Sequence, residues 1–98
     1  MGYAFYMPPV RTFDIESPVQ AGQTLHLRPP LLETVRRMDG FEGLDEAVVL
    51  ACDILSRNNE DVTITAAELR TSWDYDQLRA FIGGFRGWLV STRENDPN

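Results

Sequence analysis

Apolar positions recur at two different periods along this chain, and the change of period separates a strand region from a helical one. Within residues 10–17, Phe13 and Ile15 alternate with Thr12, Asp14 and Glu16. Within residues 24–28, Leu25 and Leu27 alternate with Thr24, His26 and Arg28. A period of two places alternate side chains on one buried face of a strand. Between the two runs lies PVQAGQ, in which Pro18 and Gly22 signal a turn. The pattern predicts a β-hairpin over about residues 10–28, with an apolar face that needs helices against it.

After Pro29-Pro30 the period lengthens. Leu31, Leu32, Val35 and Met38 stand at helical spacing, and Asp39-Gly40 end a short helix over about 30–39. A second helix is predicted over about 43–58. Leu44, Val48, Ala51, Cys52 and Leu55 form its stripe, and Ala47, Leu50 and Ile54 widen it, so it should be the most buried element. Asp45 and Glu46 in its first turn and Arg57 in its last suit the helix dipole, and Asn58-Asn59 close it. Residues 60–64 read as a linker or a very short strand. Thr65 and Glu68 form a capping box that opens a helix over about 65–72. Asp74 and Gln77 form a weaker capping pair at the start of the last helix, about 74–92.

That last helix has the longest periodic run. At about 100° per residue, Tyr75, Leu78, Phe81, Ile82, Phe85, Trp88 and Leu89 share one broad face, and four of the seven are aromatic. The opposite face carries Ala80, Gly83, Gly87 and Val90, with Arg79, Arg86 and Arg93 beside them at a spacing of seven, and Gly84 at its edge. Each glycine inside a helix costs about 1 kcal/mol relative to alanine. Two readings account for them. In one, Gly83 and Gly87 form a smooth, arginine-edged surface on which a partner helix can approach closely. In the other, the helix kinks or frays at Gly83-Gly84.

Composition narrows the class. The 98 residues fit one domain, 1–98, with an N-terminal arm (1–9) and a polar C-terminal tail (94–98). In the arm, Tyr3, Phe5 and Met7 alternate weakly with Ala4 and Tyr6 before Pro8-Pro9, as an arm or a short edge strand would. The fold class expected is α+β, a hairpin packed on three to four helices. A net charge of −6 argues against nucleic acid as the main partner, since phosphate binding needs a basic footprint. Every cation is arginine, so each can make forked contacts with carboxylates. No apolar run is long enough for a membrane span. The N-terminus has no basic region of a secretory signal, and Tyr6 stands where a myristoylation start needs Ser or Thr.

The search for chemistry is mostly negative. His26 is the one histidine, on the polar side of a strand, and reads as solvated; no second histidine exists to build a metal site with it. Cys52 is the one cysteine, on the apolar stripe of the second helix, and reads as an inert core residue. Glu42, Asp45, Asp74 and Asp76 occupy helix starts, where capping accounts for them. No nucleophile elbow, phosphate loop or dinucleotide fingerprint is present. No catalytic residue, metal or cofactor is therefore expected. A binding module is expected instead, with Arg79, Gly83, Arg86, Gly87, Val90 and Arg93 as its partner-binding residues.

The order of these features resembles the small tail assembly chaperones of tailed bacteriophages. The resemblance runs through FDIESPVQAGQTLHLRPP, a hairpin whose second strand ends Leu27-Arg28-Pro29-Pro30 directly before a helix. It continues through a middle helix, a T-x-x-E-L segment from Thr65 to Leu69, an aspartate at 74 or 76, and a last helix ending aromatic-to-leucine from Phe85 to Leu89. It covers about residues 11–90 with short, degenerate motifs. Two features depart from the pattern: the Gly83-Gly84-x-x-Gly87 run is glycine-rich, and Pro29-Pro30 stands where one proline is usual. The resemblance implies a protein made in the cytoplasm of the infected bacterial cell and absent from the virion. It would coat the helical tape-measure protein and recruit tail-tube subunits, with a longer frameshifted form made in many such systems. The seven-residue spacing of Arg79, Arg86 and Arg93 suits carboxylates along a partner helix, though a solvated face has the same spacing. Glycine-faced helices also leave homo-oligomerisation open. The competing classes are a structural or adaptor protein of the phage tail or head, and a small regulatory interaction protein.

Overall fold

The computed structural model describes residues 11–94, with side chains described as far as Ser91. The N-terminal arm and residues 95–98 lie outside the described residues. Two strands, β1 (Phe13–Glu16) and β2 (Thr24–Leu27), precede four helices: α1 (Leu32–Met38), α2 (Gly43–Leu55), α3 (Ala66–Ser72) and α4 (Tyr75–Glu94). The architecture is α+β, as expected.

The strands pair antiparallel, with Phe13 opposite Leu27 and Ile15 opposite Leu25. Both pairs therefore share the face that meets the helices, and Leu25 and Leu27 are fully buried. The connecting loop is held by its own side chains. Ser17 Oγ accepts from the amides of Val19 and Gln20, and Glu16 accepts from the amide of Gly22, whose φ of 84° is left-handed. Beyond β2 the chain supplies a strand-like strip. Asn58 forms an antiparallel bridge with Leu27, the Arg28 amide donates to Arg57, and the Asn59 amide donates to His26. The other edge of β1 has no strand partner among the described residues.

The core joins β2, α2, α3 and α4. From α2 come Ala47, Val48, Leu50, Ala51, Cys52, Ile54 and Leu55, all buried. From α4 come Leu78, Phe81, Ile82 and Phe85, with Trp88 and Leu89 partly buried against them. Phe13 fixes the hairpin to α4: its ring lies 5.4 Å from Phe85, 5.8 Å from Trp88 and 6.1 Å from Phe81, all edge-on. Both capping pairs form. Thr65 and Glu68 cap α3 reciprocally, and Asp74 and Gln77 exchange bonds of 2.8 Å ahead of α4.

Several expectations need correction. Helix α1 starts at Leu32, two residues later than expected, and buries Thr34 and Met38. Leu32 lies about 200° around the helix from Thr34 and is 87% exposed, so a seven-residue helix with one buried side leaves it in solvent. Helix α2 ends at Leu55, so Arg57 is outside it and donates instead to the Pro29 carbonyl at 2.7 Å. Leu44, in its first turn, is 55% exposed because the neighbouring elements cover α2 only from Ala47 onward. Glu42 does not cap α2 with its side chain; Glu46 reaches back to the Glu42 amide at 2.8 Å. Tyr75 is exposed rather than on the inward face of α4. Of the two readings of residues 60–64, the linker holds, since they form no strand.

Candidate functional site

Helix α4 runs unbroken through its glycines, so the helix does not fray at Gly83-Gly84. The α-helical rotation places Arg79, Gly83, Arg86, Gly87, Val90 and Arg93 within an arc of about 120°. Through Val90 these residues are exposed, as is Ala80. A Cβ built at Gly83 or Gly87 meets no atom within 4 Å, and one at Gly84 meets only the Phe13 ring edge at 4.0 Å. The glycines therefore serve no close approach among the described residues. They leave bare helix backbone facing outward beside Val90 and Ala80.

The arginines are not equivalent. Arg86 is held at home: it donates to the Met38 carbonyl at 3.0 Å and to Asp39 at 2.6 Å. That contact satisfies a carbonyl at the C-terminal end of α1 and ties α1 to α4. Arg79 lies over the Tyr75 ring, 5.7 Å from its centroid, and is exposed on the arc. The backbone of Arg93 continues the helix, and its side chain lies outside the described residues. The structure thus brings the glycines, Val90 and Arg79 together as a surface, while Arg86 forms its rim as a structural clamp.

His26 is not the solvated histidine expected. Its Nδ1 is 2.6 Å from one Glu60 oxygen, and its backbone amide donates to the other at 2.8 Å. Asp14 Oδ2 lies 4.0 Å from Nε2. The hydrogen bond to Glu60, aided by the charges of Asp14 and Glu60, raises the His26 pKa. The two bonds from His26 lower that of Glu60. The group joins the hairpin to the loop after α2. Cys52 is buried in the core, and burial pushes its thiol pKa upward, so it suits packing rather than nucleophilic chemistry.

The periodic pattern missed Asn58. This side chain is 1% exposed and makes four bonds: Nδ2 donates to Leu55 and Val62 carbonyls, and Oδ1 accepts from Glu60 and Val62 amides. It organises the turn that returns the chain from α2 toward α3, including Asp61 at a left-handed φ of 60°. No sequence period marks such a residue. Its one signal is an asparagine three residues past the end of a hydrophobic helix.

Among the described residues, no group of three or more His, Cys, Asp or Glu side chains is placed to hold a metal ion. No helix among them is long and apolar enough to cross a membrane. With hairpin and helices in place, the molecule is an α+β domain whose most unusual surface is one outward helix face. Comparison with protein-family models, curated proteins and solved structures finds no match to this chain.

Proposed function

We propose that this chain is a tail assembly chaperone of a tailed bacteriophage. It holds a helical segment of the tape-measure protein against α4 and helps recruit tail-tube subunits in the infected cell's cytoplasm, without remaining in the virion. The observation that carries the binding surface is the outward arc of α4, where Gly83 and Gly87 are exposed and no atom of the described residues fills the space above them. Evolutionarily cheap alanines would stabilise that helix, so the glycines are best accounted for by something outside the chain that comes close to the backbone. Val90 and Ala80 supply apolar contact and Arg79 a cation, the makings of a helix-on-helix contact. The phage assignment rests on the resemblance of residues 11–90 to the chaperone family.

The test is co-expression of tagged protein with the products of neighbouring genes, capture, and identification by mass spectrometry. Capture of a long helical tape-measure protein is expected. Replacing both Gly83 and Gly87 with leucine should abolish that capture while circular dichroism and thermal midpoint show a folded domain. Recovery in stoichiometric amount with finished particles would establish a structural tail or head component instead. Capture unaffected by the leucine pair would remove the α4 surface from the binding reaction.

A further inference from the structure

The edge of β1 away from β2, unpaired among the described residues, forms a second surface, distinct from the outward arc of α4. The Ser17 amide donates to the Gln23 carbonyl at 2.7 Å, which continues the hairpin register and makes 13/27 and 15/25 its hydrogen-bonded pairs. Asp14 and Glu16 occupy the alternate positions. Their cross-strand partner His26 turns its own amide and carbonyl outward, to Glu60 and Asn59, as that register requires. The backbone amides and carbonyls of Asp14 and Glu16 accordingly point to the opposite edge, where no described strand pairs with them.

Alongside this edge runs a groove of about 700 Å³, lined by every residue of β1 and by none of β2. Its far wall is the α3–α4 junction, with Trp73, Ala80 and Phe81. The Trp73 and Phe81 rings lie 5.3 Å apart. The groove thus offers a strip of backbone hydrogen-bonding groups on one side and an aromatic wall on the other. The charged residues that line it are Asp14 and Glu16, both acidic.

We propose that this groove binds an extended segment of a partner protein, with apolar residues alternating with lysine or arginine, as an added strand on β1. The backbone edge supplies register and hydrogen bonds, and the aromatic wall takes the apolar side chains. Asp14 and Glu16 select the cations. A second copy of this chain fits poorly, because pairing two β1 edges sets these carboxylates against each other. The proposal stands independently of the α4 surface.

The test uses the full chain labelled with ¹⁵N and a fluorescein-labelled octapeptide alternating lysine and valine. Its glutamate–valine counterpart serves as control. Saturable anisotropy binding of the lysine peptide alone is expected, with the largest amide shifts at Asp14 and Glu16. The double variant Asp14→Asn, Glu16→Gln should weaken binding about three- to ten-fold. Asp14→Pro removes an outward amide without touching a β1–β2 bond, and should weaken binding further while Leu25 and Leu27 amides keep their native shifts. Equal binding of both peptides, or binding insensitive to Asp14→Pro, would overturn the proposal. So would Asp14 and Glu16 amides already protected from exchange in the free protein. Protection independent of concentration would assign the edge to this chain's own residues 1–10, and protection rising with concentration to a second copy.

Discussion

Helices α2 and α4 pack on the same core, yet their outward sides differ in kind. Leu44 and Val49 apart, the outward side of α2 is polar, and its acidic residues find partners within the chain. Asp53 pairs with Arg37 of α1, Asp45 pairs with Arg70 of α3 at 2.8 Å, and Glu46 closes the helix start. The outward side of α4 carries Gly83, Gly84, Gly87 and Val90, which do nothing visible for the fold. Inward, α4 is as demanding as α2, with Phe85 fully buried among Phe13, Phe81 and Trp88. A residue set that the fold explains and one that it does not, on the same helix, separates stability from the proposed binding role.

The sharpest way to break that separation is to truncate the inward sides. Phe85→Ala should cost about 3–5 kcal/mol and Leu50→Ala about 2–5 kcal/mol, since both side chains are buried in the shared core. Chemical denaturation of each variant measures this. A loss below about 1 kcal/mol for Phe85→Ala would mean that the α4 aromatic face is not core, and the contrast between its two sides would collapse.

Next in size is the turn that fastens α2 to the rest. Asn58→Ala leaves two amides and two carbonyls without their partner in a buried site, and should cost about 2–3 kcal/mol. Asn58→Asp should recover only part of this, because a carboxylate can replace the acceptor but not the donor. Equal stability of wild type and Asn58→Ala in urea unfolding would show that water replaces those bonds freely.

The glycines test the other side of the contrast, with opposite sign. Gly83→Ala and Gly87→Ala should each stabilise the domain by up to about 1 kcal/mol, because the helix gains propensity and the new methyl meets nothing. For a domain of this size that is a rise of about 4–8 °C in thermal midpoint. A fall in midpoint would place those glycines in a contact within the protein, and the outward arc would lose its standing as a binding surface.

How much of this the sequence contained depends on what each residue answers to. The hairpin and all four helices were legible, because alternation at Phe13–Glu16 and Thr24–Leu27 and the Thr65/Glu68 and Asp74/Gln77 pairs are local signals. The inward face of α4 was legible except for Tyr75, whose position in the first turn lies beyond the elements that cover the core. Leu44 misled for the same reason, since helical spacing states which side is apolar and not whether a neighbour reaches it, while Leu32 misled because α1 buries the side that carries Thr34 and Met38. The glycine arc could be read as a periodic feature, but the clamp of Arg86 on Asp39 could not, since it joins residues 47 apart in the chain. The His26–Glu60 pair was illegible for that reason too, being set by where the loop after α2 meets β2, whereas the bonds of Asn58 are local and were missed because they follow no hydrophobic period.

The His26–Glu60 pair gives the smallest effect, and it bears on the α2 side of the contrast, because it joins the loop after α2 to the hairpin. The folded pKa of His26 is raised, so its contribution is fully present below the ordinary histidine value and is lost as pH rises through the folded value. The folded pKa of Glu60 is lowered, so its contribution is present above the ordinary glutamate value and is lost as pH falls through the folded one. Both contributions coincide between about pH 4.5 and pH 6.5. Thermal midpoints of wild type and Glu60→Gln should therefore differ most within that window and converge on either side, above neutrality as His26 loses its proton and in acid as Glu60 gains one. Both side chains are partly open to solvent, so added salt should narrow the difference. A difference that stays constant from pH 5 to pH 9 would mean that Glu60 acts through its bond to the His26 backbone amide alone. In that case the loop after α2 is fastened to the hairpin by an interaction indifferent to the charge of the imidazole.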